Sequence, residues 1–163
     1  MLLCLDPSDP RGVLQCVDYY ALRAAEAPWL LRFGGAFRGD GSLPTLPGWA
    51  YSMAMAAWAQ ESEERTGSKA DASAAGQAAD APRADERLRD ALLLHPAVLP
   101  RLVERLTAGN AVTLDAEWRA ALAAPLFARA SCGGSASLEH LVDIFVERHH
   151  SLLRPAGVLV RSF

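Results

Sequence analysis

Apolar positions recur at three- and four-residue steps through most of the chain, the period of a helix with one buried face. From Val13 they run through Val17, Ala21 and Ala24, with Leu14 and Tyr20 beside the stripe. Asp9 before Pro10 reads as an N-cap and a first helical residue, because the amide that proline lacks would have no partner there. Pro28 ends this helix and opens the next, in which Trp29, Leu30 and Phe33 keep the spacing. Helices this short are marginal alone in water, so the stretch predicts a helical hairpin that needs neighbours. Gly34-Gly35 and the cluster at 38–42 are expected to break the second helix. After Pro44, Pro47 and Gly48, the residues Ala50, Met53, Ala54, Ala57 and Trp58 mark the apolar face of a third helix.

The pattern then lapses. Between Ala59 and Arg87 no large apolar residue occurs, and a segment with nothing to bury cannot offset the entropy of ordering. Residues 62–84 are therefore predicted to be a flexible, low-complexity insertion. Periodicity returns with Leu88, Ala91, Leu92 and Leu94, and after Pro96 with Val98, Leu99, Leu102, Val103 and Leu106, closed by Gly109-Asn110. Asp115 is placed to cap a helix carrying Trp118, Ala121 and Leu122, which Pro125 interrupts. Beyond the loop around Gly133-Gly134, Leu138, Leu141, Val142, Phe145 and His149 line a last helix. Apolar runs meet a proline at Leu94-His95-Pro96 and again at Leu153-Arg154-Pro155, and helix openings at Pro10 and Pro47 lie about 37 residues apart. The fold predicted is all-α: stacked helical hairpins, a tetratricopeptide-like α-solenoid segment. Hairpins at 1–61 and 85–163 form one array around the insertion, and the apolar runs at both ends read as cuts through such an array.

Composition narrows the function. In 163 residues the apolar fraction is 51% and the formal net charge is −3, so no basic surface invites nucleic acid. Cys4, Cys16 and Cys132 are odd in number and lack ligand-like spacing, which points to a reduced compartment rather than a disulfide framework. No stretch approaches the ~20 apolar residues of a membrane span, and the start lacks the pattern of a signal peptide. Arg38-Gly39-Asp40 can be read as an adhesion triplet, but short motifs arise by chance and a loop is the better account.

Candidate chemistry is sparse. The histidines are His95, His140, His149 and His150, and no His-Glu-x-x-His or Cys-x-x-Cys frame accompanies them. A small helical enzyme using His140, Asp143 and His149 is one reading; a solvated helix face carrying Asp143, Glu147 and Arg148 is the better one. Phosphate-cradling glycine motifs are absent, so no metal, cofactor or catalytic residue is expected. Tyr19 and Tyr20 beside Arg23 are the pair of most interest, together with Trp29 and Trp49. Adjacent tyrosines on a helix point about 100° apart, so one can pack while the other offers its hydroxyl to a partner. Tyr, Trp and Arg are the residue types enriched at interface hot spots.

The run VDYYALRAAEAPWLLRF, followed by LPGWAYSMAMA, resembles the transcription factor 25 / ribosome quality control complex subunit 1 family. RLRDALLLHPAVLPRLVERL and SLEHLVDIFVERHHSLLRPAGVLV resemble two later blocks of that family in the same order. Two departures stand out. The family's basic N-terminal region has no counterpart here, and Gly34-Gly35 occupies what is usually an acidic helical continuation. The resemblance implies a non-enzymatic scaffold subunit of ribosome-associated quality control, in the cytoplasm and also the nucleus. It would assist ubiquitination and extraction of nascent chains on stalled large ribosomal subunits. Partners implied are the large ribosomal subunit, a listerin-type ubiquitin ligase and a Cdc48-type ATPase. A generic helical-repeat adaptor for short peptides and a transcriptional co-repressor are the alternatives.

Overall fold

The computed structural model describes residues 9, 12–37, 42–66, 83–108 and 114–153, and among these there are helices, turns and no strand. The all-α class predicted from periodicity is the one found. The chain divides into two units, Met1–Ala91 and Leu92–Phe163.

In the first unit Gly12, not the predicted Asp9, is the N-cap position, and the first element is tighter than predicted and starts later; Asp9 still contacts it. The Asp9 carboxylate accepts from the amides of Val13 and Leu14, both at 2.8 Å, and so closes a 3-10 turn over Val13–Gln15. The first α-helix, α1, is Val17–Arg23. It ends where the Ala25 amide bonds the Leu22 carbonyl and the Glu26 amide bonds that of Ala21. This double bond to the last turn is a Schellman stop, and it puts Ala25 at φ 58° in the left-handed region. The second helix, α2, is Ala27–Ala36, with Pro28 in its first turn as predicted.

Gly34-Gly35 does not break α2, which continues to Ala36. The reason lies across the hairpin, in α3 (Pro47–Thr66). A Cβ at position 34 would stand 2.8 Å from Met53 Cε and 2.9 Å from its Sδ. Glycine here serves close approach, at the usual modest cost in helix propensity. The helix α3 runs past the predicted boundary at 61. Gln60 bonds Glu64 and Arg65 bonds Ser62, both at 3.1 Å, and such one-turn pairs extend the solvated end of a helix whose other end is packed.

Burial along α3 also differs from the single face predicted. Trp49, Tyr51, Ser52, Ala54, Ala56 and Ala57 are all buried, while Ala50, Met53 and Trp58 are only partly so. A helix covered on several sides is apolar all round, and a one-sided stripe cannot describe it. Both α1 and α2 pack on it, and the Ala84 amide at the head of α4 (Ala84–Leu94) bonds Glu61 Oε1 at 2.9 Å. Of the insertion predicted at 62–84, the part at 67–82 lies outside the described residues. So do Pro10, Arg38-Gly39-Asp40, Gly109-Asn110, Pro155 and the terminal apolar runs.

The second unit contains α5 (Val98–Thr107), α6 (Ala116–Ala123), the single turn α7 (Pro125–Ala128) and α8 (Ala136–Leu153). Asp115 caps α6 as predicted, its Oδ1 accepting from the Trp118 amide at 2.9 Å. Gly133 and Gly134 take φ 60° and 77° in the turn before α8, and Ser135 Oγ caps that helix through the Leu138 amide. The helices α5 and α8 pack together, burying Val98, Leu102, Val103 and Leu106 on one and Val142, Phe145, Val146 and His149 on the other. Leu94, predicted on an apolar face, is 52% exposed, as is its neighbour Leu93 at 60%.

Both units repeat one arrangement. In the first, Trp49 bonds Leu14 and Ser52 bonds Asp18, partners 35 and 34 residues apart. In the second, Arg101 bonds Glu139 and Arg105 bonds Glu147, partners 38 and 42 residues apart. In each case both members of the pair advance together, so α1 runs parallel to α3 and α5 to α8. Parallel neighbours need a return path, which α2 supplies in the first unit and α6 with α7 in the second. Helix, return helix, parallel helix at an offset in the thirties or low forties is the plan of a helical-hairpin repeat.

Candidate partner-binding surface

The helix α1 has only seven residues, and its two sides have opposite jobs. Asp18 and Ala21 face inward, 4% and 7% exposed. On the other side Tyr20 is 60% exposed and Arg23 is exposed beside it. The rings of Tyr19 and Tyr20 meet edge to face with centroids 5.3 Å apart. An Arg23 guanidinium N–H donates to the Tyr19 hydroxyl at 3.3 Å. The phenol of Tyr20 and a positive charge thus stand together on one helix, held by neighbours on the same turn.

Trp29 lies on α2 and is 38% exposed. It stacks on Phe33 at 5.1 Å, and Phe33 stacks in turn on Phe37 at 5.4 Å and tilts against Trp49 at 5.9 Å. This aromatic row leads from the surface into the core. Offset-stacked rings hold one another in place, so Trp29 is presented as a rigid apolar edge. Trp49 is at the inner end of the row. It is 3% exposed, and its Nε1–H donates to the Leu14 carbonyl at 2.9 Å. From there it cannot touch a partner. Trp49 leaves the predicted surface set and joins the core, because its indole is the group that ties the turn before α1 to α3.

Two groups of residues escaped the sequence reading. Asp18 is a buried carboxylate that accepts from Ser52 Oγ at 2.9 Å. The signal was weak: Asp18 falls at the edge of the Val17, Ala21 and Ala24 stripe, and its burial depends on Ser52, far along the chain on α3. The other group is an ion-pair ladder. Arg101 bridges Glu139, at 2.7 Å, and Asp143, while Arg105 grips both oxygens of Glu147 at 2.8 and 3.2 Å. The guanidinium of Arg105 holds the Glu147 carboxyl below the usual carboxylate range, and the hydrogen bonds to Glu139 and then Asp143 raise Arg101 further. Three carboxylates at four-residue spacing facing two arginines at the same spacing is a register mark between two helices.

The possible catalytic trio is dispersed. His149 is 2% exposed, stacked on Phe145 at 4.2 Å, with Nδ1 3.0 Å from the Phe145 carbonyl. His140 and Asp143 are exposed, and Asp143 is engaged by Arg101. Among the described residues no group of three or more His, Cys, Asp or Glu is placed to hold a metal ion, and no helix is long and apolar enough to cross a membrane.

The sequence profile of the family described as transcriptional repressor TCF25 matches residues 1–159. The chain belongs to the TCF25 family. It is also similar to the ribosome quality control complex subunit 1 of Schizosaccharomyces pombe (strain 972 / ATCC 24843), 36% identical over 55 residues. That stretch is 34% of this chain and 8% of the yeast protein, so the chain spans a small part of that relative's length. No solved structure matches. Membership in the TCF25 family agrees with the resemblance carried by the α1–α2 hairpin, where the exposed tyrosine and tryptophan are found.

Proposed function

We propose that this chain is a non-enzymatic helical-repeat scaffold of ribosome-associated quality control, which grips protein partners through Tyr20, Arg23 and Trp29. The observation that carries the reading is the similarity to a ribosome quality control subunit in a chain whose exposed aromatics sit on rigidly packed helices. Large aromatic and arginine side chains that are already held in place lose little entropy on binding, which is what a docking surface requires. In this role the scaffold assists ubiquitination and extraction of nascent chains on stalled large ribosomal subunits. Its partners are the subunit itself, a listerin-type ligase and a Cdc48-type ATPase. No catalytic group is assigned to it, and it works in the cytoplasm.

The test is sedimentation of the tagged chain in extract with stalled translation. Co-migration with large subunits, weakened by Tyr20→Ala with Trp29→Ala, is the expected result; migration only with free protein sinks the proposal. The family's description as a transcriptional repressor favours a second reading, a nuclear co-repressor. Enrichment on chromatin without any ribosomal fraction would decide for it.

A further inference from the structure

Asp18 is the one acidic side chain among the described residues that the core takes in, and the proposed binding surface does not use it. It is 4% exposed and accepts from Ser52 Oγ. It lies beside Gly48 in the first turn of α3, where a Cβ would come 3.3 Å from Asp18 Oδ2. Glycine leaves room for the carboxylate there, and the first turn of a helix favours a negative charge.

The apolar pattern of α1 alone would set the helix differently. A stripe of Val17, Ala21 and Ala24 centred on the core leaves Asp18 at its edge and brings Tyr20 toward the boundary. The structure instead buries Asp18 and leaves Ala24 exposed and Val17 half-buried. At 100° per residue the two settings differ by roughly 50°, enough to carry the Tyr20 ring from the boundary out to solvent. A buried polar pair is a poor source of net stability but a good device for choosing among similar packings.

We infer that the buried Asp18–Ser52 pair is the positioning device that turns α1 so that Tyr20 faces outward. The inference rests on the reading of Tyr20 as a partner contact, and it acts through Tyr20; Asp18 itself touches no partner. With its hydroxyl partner removed, the carboxylate is better served by turning out to water, and that turn draws Tyr20 in.

The chain holds three tyrosines, Tyr19, Tyr20 and Tyr51, which makes the setting of α1 readable by nitration with tetranitromethane and peptide mapping. In the unmodified chain the exposed Tyr20 is expected to react first and the buried Tyr51 last. In Ser52→Ala, Tyr20 is expected to slow by about threefold or more relative to a free tyrosine standard, the scale of a local change in access. Asp18→Asn keeps an acceptor for Ser52 and is expected to retain the original order. A Ser52→Ala chain of full helicity with unchanged Tyr20 reactivity overturns the inference. Should that variant lose helicity, Asp18→Ala, which leaves no charge to bury, takes its place: a slowed Tyr20 supports the inference and an unchanged one overturns it. Sedimentation separates the two ideas: if the unmodified chain never joins large subunits, the partner reading falls, while the nitration result still decides the role of Asp18.

Discussion

The two units solve one problem with opposite chemistry. Each holds a pair of parallel helices, and each ties the pair with polar contacts about one repeat apart. In the first unit the ties are buried: Trp49 to Leu14 and Ser52 to Asp18. In the second they are exposed, with Glu139, Asp143 and Glu147 side chains 56%, 55% and 60% open to solvent. Buried ties are expensive to break, because the group left behind must stay unpaired or turn its helix to reach water. Exposed ion pairs are screened and worth little, so the second unit draws its strength from Val142, Phe145 and Val146 and uses its arginines to mark register. The lesson is that the same helical plan does not imply the same sensitivity to salt, pH or substitution.

The largest break in that comparison should come from Trp49→Ala, which removes both a core side chain and the tie to Leu14. A loss of about 3–5 kcal/mol is expected, read by urea unfolding, with hydrogen exchange showing the loss in residues 12–66 rather than around α8. Next is Ser52→Ala. It should cost about 1–3 kcal/mol, the range for stranding a buried acceptor, and the cost should persist at 1 M salt, about ten times the ionic strength at which surface pairs are already screened.

Arg101→Ala is the counterpart in the second unit. Its effect should stay below about 1 kcal/mol at low ionic strength and vanish at high salt. A large, salt-independent loss would mean that the ladder, not the apolar face, holds α8. The smallest effect is in pH. The Glu147 carboxyl titrates below its ordinary value because Arg105 holds its charged form. Its contribution is therefore present above the ordinary glutamate range and fades as pH falls through the depressed folded value, below about 4.3. A carboxyl resonance of Glu147 followed by NMR should titrate low in the unmodified chain and return toward normal in Arg105→Gln.

Much of this was legible from periodicity. Pro28 at the start of α2, the Asp115 cap and the inward face of α8 through Val142, Phe145 and His149 are all local signals, set within one or two turns. What was not legible depended on partners far along the chain. Trp49 reads as a possible surface anchor until α1 is laid over it. Asp18 makes sense only once Ser52 and Gly48 are opposite. The apolar face of α3 was misplaced because a one-sided stripe says nothing about a helix covered on several sides. For the surface, the pattern leaves open which of Tyr19 and Tyr20 faces out. Tyr20, Arg23 and Trp29 are the exposed residues of the set, and the setting of α1 that exposes Tyr20 is not specified by its own stripe.

Position 34 has no side chain, and the thioether of Met53 fills the place one would take. The two sites therefore form a single compartment with one occupant, and neither can be changed without regard to the other. An alanine at 34 asks only that a slender, freely turning chain swing aside; a branched residue there requires a shorter one at 53. The separation of two helices in this hairpin is thus set by an absence on one rod and a pliable tip on the other.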